Sequence, residues 1–221
     1  MAIRAVLFDI DGTLVDSNDL HVIAWQEAFA SIGERFERSV IHDQIGKGTD
    51  MLVPTLLPDA DQATQDALGE AHGSNFKERF LAQVKPFPGA HDLLARVHAD
   101  GKKVVLASSA SAEELEHYTG LLDARDLVDA TTSADDVENT KPAPDIFATA
   151  LKKIAPLTAE EVIVVGDTPY DVEAAGKCGI ATIALRSGGF PDSALREAGA
   201  VALYDDVAAL LRDYQDSPLA E

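Results

Sequence analysis

The chain has little cysteine, little basic charge and no long apolar run, and each shortage closes off a class of protein. Cys178 is the only cysteine, so neither an internal disulfide nor a multi-cysteine metal site can form. Within "AAGKCGIATIAL" it reads as small packing filler ahead of a strand. Lysine and arginine together number 18 against 38 aspartates and glutamates, giving a formal charge of −20. A surface that acidic repels nucleic acid and anionic lipid, and no Lys/Arg-rich tract offsets it. No apolar stretch approaches the about 20 residues of a membrane span. The opening "MAIRAVLFD" is too short and too soon acidic for a secretory leader. The resulting expectation is a cytoplasmic protein with no nucleic-acid or membrane partner, and monomer and dimer remain equally open.

What is present is an alternation. Apolar runs at 5–8, 103–107, 162–165, 181–185 and 200–204, with a weaker one near 127–133, are rich in Val and Ile and do not alternate with polar residues. That is the pattern of strands covered on both faces. Amphipathic stretches at 90–99, 112–122, 144–153, 171–178 and 205–214 lie between them. The order predicts an α/β fold, a doubly wound (Rossmann-like) parallel sheet with its site beyond the carboxyl ends of the strands. From 18 to 84 the alternation stops. "LHVIAWQEAFASIG" (20–33) and a second helical region at 61–84, weakened by Gly69 and Gly73, fill the gap before the prolines of "KPFPGA". The expected organisation is a catalytic core of 1–17 and 85–221 with an inserted helical cap at 18–84.

The polar residues at the strand ends carry the chemistry. "VLFDIDGTLVDS" places Asp9 at the end of the first strand and Asp11 two residues on, before Gly12 and Thr13. One carboxylate can attack phosphorus if cations shield it, while the other moves a proton; an acidic turn at Gly12 is the plain alternative. "VVLASSAS" ends a strand at Ser108, followed by Ser109, where a hydroxyl beside free helix N–H groups suits phosphate; Ser108, Ser109 or Ser111 could equally cap the helix. "VIVVGDTPYD" offers Asp167 and Asp171, oxygen ligands of the kind Mg²⁺ takes, with helix capping the other use of Asp171. Lys141 in "ENTKPAPDIF" is a compact cation for an anionic substrate in an otherwise acidic chain.

In four places and in order, these residues resemble the haloacid dehalogenase superfamily, in its branch of phosphoglycolate-phosphatase-like and β-phosphoglucomutase-like enzymes with a helical cap. "DIDGT" is similar to its Asp-x-Asp-x-Thr motif, Ser108 to its strand-end Ser/Thr, Lys141 to its lone lysine, and "GDTPYD" to its Gly-Asp-x-x-x-Asp motif. The resemblance spans residues 4 to about 190. It implies an aspartyl-phosphate on Asp9, general acid/base work by Asp11, and phosphoryl binding by Ser108 and Lys141. It also implies Mg²⁺ on Asp9, the backbone carbonyl of Asp11 and Asp167, supported by Asp171. Thr13 would orient the loop, with Ser109, His21 and Lys47 as further substrate-side candidates.

Among activities, the resemblance favours Mg²⁺-dependent hydrolysis of a small phosphomonoester, a sugar phosphate or a phosphoglycolate-like molecule. Dehalogenases of the group lack the second aspartate, which is present here as Asp11. A phosphomutase is the alternative: His21 and Trp25 fall where such enzymes carry His and Trp, but "GKGTD" ends in Asp50 where the mutase carries arginine. A phosphonatase would need a cap lysine, for which Lys47 is the nearest candidate. A receiver-like phosphate-binding module ranks last, because such modules lack a helical insertion.

Overall fold

The computed structural model describes residues 2–220. At its centre lies β1 (Ala5–Phe8), hydrogen-bonded on one side to β4 (Lys103–Ala107) and on the other to β6 (Val162–Gly166). β5 (Ala130–Thr132), β7 (Ala181–Leu185) and β8 (Ala202–Tyr204) complete a parallel sheet of order β5-β4-β1-β6-β7-β8. In register, Phe8 lies beside Leu106 and Val165. The residues that follow, Asp9, Ser108 and Asp167, therefore emerge at one edge. The strand order reverses direction beside β1, which is where open α/β sheets bind ligands.

The Val/Ile-rich strands are buried on both faces, as their lack of alternation requires. Val6, Phe8, Val104, Leu106 and Val165 face α5 (Ala90–Ala99), α6 (Ala112–Leu121) and α10 (Val207–Arg212). Ala5, Leu7, Val105 and Val164 face α7 (Asp145–Lys153) and α8 (Pro169–Lys177). Each fully buried Val or Leu contributes about 1.5–3 kcal/mol to such a core. α9 (Asp192–Ala198), which the alternation did not reveal, covers the sheet near β7 with Leu195. β8 begins at Ala202 rather than at 200, because Gly199 at φ +111° ends α9 and the Ala200 N–H returns to the Leu195 carbonyl.

Between β1 and α5 the chain forms an antiparallel ribbon of β2 (Val15–Asp16) and β3 (Lys85–Pro86), and the chain between the two strands is built from helices and the loops that join them. α1 (Asn18–Ser31), α2 (Arg38–His42), α3 (Thr49–Leu56) and α4 (Gln62–Arg79) enclose their own apolar cluster of Val22, Trp25, Phe29, Ile41, Leu52 and Leu68. α4 stops at Arg79, short of 84, and runs unbroken through Gly69 and Gly73. Gly69 is there because α3 approaches closely: a Cβ would lie 2.8 Å from Thr49 Cγ2. No helix among the described residues is long and apolar enough to cross a membrane.

Candidate active site

Asp9 continues β1 by one residue, its N–H donating to the Val165 carbonyl at 2.9 Å. The chain then turns sharply. Gly12 sits at φ +76°, and the N–H groups of Thr13, Leu14 and Val15 all return to the Ile10 carbonyl. The left-handed φ favours glycine, and space demands it, since a Cβ on Gly12 would fall 2.2 Å from Asp167 Oδ2. Thr13, inside this turn, donates its hydroxyl to Asp167 Oδ1 at 2.7 Å. The turn thus binds the end of β1 to the end of β6.

Three carboxylates and one ammonium meet beneath the turn. Asp9, Asp167 and Asp171 are buried, with carboxylate oxygens that lie within 4.8 Å of one another. Lys141, only 1% exposed, reaches in from the loop before α7 to Asp9 Oδ1 at 2.5 Å and Asp171 Oδ1 at 2.7 Å. Its third partner is the Ala107 carbonyl at the end of β4, at 3.1 Å. Asp171 also takes the Thr168 N–H and hydroxyl on Oδ2 in a capping box, so Thr168 is the N-cap of α8 and Asp171 its third helical residue. Burial outweighs the neighbouring Lys141 and pushes Asp9 up to about 7, with Asp171 adding to the rise. Burial, then Asp9 and Asp171, hold Asp167 well above the carboxylate range.

Asp11 has different surroundings. It accepts the Ser17 hydroxyl at 2.6 Å and lies 3.2 Å from His21 Nε2. Burial alone would raise it, but the His21 charge, with hydrogen bonds from His21 and Ser17, holds its carboxyl below the usual range. The same contact raises His21 against its burial. Asp9, Asp11, His21 and Ser108 share the lining of one cavity of about 460 Å³ between the sheet and the helices. Ser108 is buried, its hydroxyl accepting the Ala110 N–H at 3.0 Å, whereas Ser111 supplies the N-cap of α6.

A sequence model of the family "Haloacid dehalogenase-like hydrolase" matches residues 6–185, which include every residue of this cluster. The chain belongs to the haloacid dehalogenase-like hydrolases. A phosphorylated carbohydrates phosphatase of Thermotoga maritima is 30% identical over 90% of this chain and 93% of its own length. A phosphoglycolate phosphatase of Cereibacter sphaeroides is 32% identical over 94% of this chain and 97% of its own. The crystal structure of a hydrolase from Pseudomonas syringae, 30% identical, superposes with a TM-score of 0.90 over 97% of this chain and 98% of that one.

The cluster of this hydrolase fits a hard divalent cation. Three buried carboxylates face a single ammonium, and oxygen donors alone suit Mg²⁺ or a similar ion. Asp167 Oδ2 is closely cradled: a Cβ on Gly188 would come within 2.1 Å of it. Asn18, at the start of α1, donates to that same oxygen at 3.1 Å, while its own buried carbonyl oxygen has no partner among the described residues. In chelator-containing buffer, where no cation compensates, lowering the pH from 8.5 to 6.5 is expected to raise the melting temperature. A carboxyl whose folded pKa lies above its unfolded value contributes stability at low pH that is lost as pH rises through the folded value. Asp9 alone contributes about 1 kcal/mol over this window, roughly 2–4 °C. Asp167 adds in the same direction, outweighing buried His72, whose lowered pKa acts oppositely. A melting temperature that falls over this window would show both carboxylates ionised.

The helices contribute residues that no strand-end motif marks. His72 of α4 lies 3.2 Å from His21 Nδ1 and stacks on Trp25 at 4.1 Å between ring centroids. His21 in turn stacks on Phe76 at 3.8 Å. Lys47 lines the cavity, but its ammonium donates to Gln44 at 2.6 Å and Thr55 at 3.4 Å, over the Tyr170 ring. The Ser109 hydroxyl donates to the Gly46 carbonyl at 3.1 Å, one of several bonds that seat the 43–48 loop and the start of α3 on the sheet side. Asp50 accepts both the N–H (2.8 Å) and the hydroxyl (2.5 Å) of Thr140, the residue before Lys141.

Proposed function

We propose that this phosphoric monoester hydrolase is a Mg²⁺-dependent phosphatase that acts on a small phosphomonoester through an aspartyl-phosphate on Asp9. The observation that carries the reading is the pairing of two unlike aspartates on one cavity: Asp9 at the end of the central strand beside Lys141, and Asp11 two residues on beside His21. Residues 18–84 act as the cap that closes the cavity, over a core of 1–17 and 85–221. Substrates are drawn from phosphorylated carbohydrates and phosphoglycolate-like esters, the classes for which the two curated relatives are named.

In the first step an Asp9 oxygen attacks phosphorus and the bond to the leaving oxygen breaks, with Asp11 supplying the proton that oxygen takes up. A phosphate dianion beside Asp11 raises the proton affinity of that carboxylate, and His21, 3.2 Å away, is positioned to pass it a proton. In the second step Asp11 accepts a proton from water, whose oxygen attacks the same phosphorus and frees the Asp9 carboxylate and inorganic phosphate. Lys141 keeps Asp9 oriented and offsets the charge arriving with the substrate. Ser108, whose hydroxyl oxygen accepts the Ala110 N–H, donates its hydroxyl to a phosphoryl oxygen. Asp9, Asp167 and the Asp11 backbone carbonyl, supported by Asp171, would hold a Mg²⁺, which would neutralise part of the phosphoryl charge. Thr13 and Asn18 fix the Asp167 carboxylate for it.

The expected result is release of phosphate from an aryl phosphate in Mg²⁺, loss of that activity in excess EDTA, and its return when Mg²⁺ is restored. Turnover that persists in excess EDTA would overturn the reading.

A further inference from the structure

The loop that carries Lys141 is anchored on its two sides by different parts of the molecule. Residues 137–144 form neither helix nor strand, so no hydrogen-bonded ladder of their own fixes the backbone there. After Lys141, the Pro142 carbonyl accepts the Lys177 ammonium at 2.6 Å, a bond to α8 of the core. Before it, buried Thr140 gives both of its donors to Asp50: the N–H to Oδ2 at 2.8 Å and the hydroxyl to Oδ1 at 2.5 Å. The same hydroxyl accepts the Gly48 N–H at 2.8 Å. An acidic residue in the first turn of a helix, as Asp50 is in α3, ordinarily serves that helix. Here both of its oxygens turn instead to the residue bonded directly to Lys141, and hydrogen bonds to an ionised acceptor are the stronger kind. Asp50 is itself exposed, so the pairing is not imposed by core packing.

We infer that Asp50 is a positioning residue for Lys141, holding in place through Thr140 the ammonium that orients Asp9. The inference rests on the phosphatase reading above and adds a residue to it. The Lys141 ammonium meets three partners at 2.5, 2.7 and 3.1 Å, a geometry that leaves little slack. A displacement of about 1 Å at such a place can cost about 100-fold in rate, even when its cause lies away from the reacting atoms. Asp50 belongs to the helical insertion and Lys141 to the core, so the attacking carboxylate is fully aligned only while the helices lie over the cavity.

The test is kcat and KM in Mg²⁺ for p-nitrophenyl phosphate and 1-naphthyl phosphate, two esters with leaving groups of different size. Asp50→Ala is expected to lower kcat by about 30-fold or more with KM changed less than about threefold, and by the same factor for both esters. Thr140→Val, which keeps the shape and the N–H but loses the hydroxyl, is expected to lower kcat by about tenfold, and Thr140→Ser to recover most of that loss. The double variant Asp50→Ala/Thr140→Val should be no more than about threefold slower than Asp50→Ala, because both changes break one link. A thermal melt of each variant shows that it is folded; should Asp50→Ala not fold, the Val and Ser variants of Thr140 decide the matter. A kcat within threefold of the parent in Asp50→Ala, a loss carried by KM, or a loss confined to one ester, as direct contact with the leaving group would give, overturns the inference and leaves the phosphatase reading standing. Losses that multiply in the double variant, or a Thr140→Ser as slow as Thr140→Val, overturn it likewise. A parent protein that releases phosphate from neither ester overturns both.

Discussion

Asp9→Asn is expected to lower kcat by about 10⁴-fold or more while the protein stays folded. An amide has nearly the shape of the carboxylate but no anionic oxygen to attack phosphorus, so neither step of the proposed route can begin. The fold should tolerate the change, because Asp9 is a charge that burial already disfavours. Asparagine removes that charge from beside Asp167 and Asp171, and Lys141 retains Asp171 at 2.7 Å. The melting temperature in chelator is therefore expected to equal or exceed that of the parent. Steady-state phosphate release and a thermal melt on the same sample decide the matter. Activity within tenfold of the parent would remove Asp9 from the nucleophile's role. Inactivity accompanied by unfolding would make its contribution structural.

Lys141→Met carries the largest expected cost in stability, about 3–5 kcal/mol at pH 8. Methionine fills similar space, but the change leaves Asp9 and Asp171 buried without the ammonium that now lies 2.5 and 2.7 Å from them. The cause can be separated from simple packing by acid. Lowering the pH lets Asp9, already raised by burial, take up a proton in the folded state, so the deficit should shrink between pH 8 and pH 5.5. Urea unfolding at the two pH values measures it. A deficit of equal size at both would assign the loss to packing rather than charge. Turnover should fall as well, since on the proposed route Lys141 orients the carboxylate that attacks.

Much of this site was legible because its chemistry sits where strands end, and strands covered on both faces are among the plainest signals a sequence carries. Asp9, Ser108 and Asp167 each directly follow a Val- or Leu-rich run or its final small residue, and the parallel register alone brings them to one edge. The ribbon of Val15–Asp16 with Lys85–Pro86 left no such signal, as two-residue strands are defined by a partner about 70 residues away rather than by local pattern. The same holds for Asn18 and Gly188, whose importance comes only from the oxygen of Asp167 they approach. His72 was hidden differently. It lies between Gly69 and Gly73, which read as weakness in the helix, yet Gly69 is a close-packing point against Thr49 and α4 is continuous past both. Asp50 stands in the sequence as a departure from an arginine pattern, while its bond to the residue preceding Lys141 exists only in the fold.

The position of β1 in the sheet has a consequence for how activity fails. β1 is paired along both edges and is covered by side chains on both faces, so no partial opening of the molecule frees it. Its amides should be among the last to exchange with solvent, at the rate of global unfolding rather than of local fraying. Asp9, one residue past that strand, inherits this protection. Heat or denaturant should therefore leave Asp9, the proposed attacking group, in place until the whole sheet comes apart, and the helical side of the cavity formed by α1–α4 should loosen first.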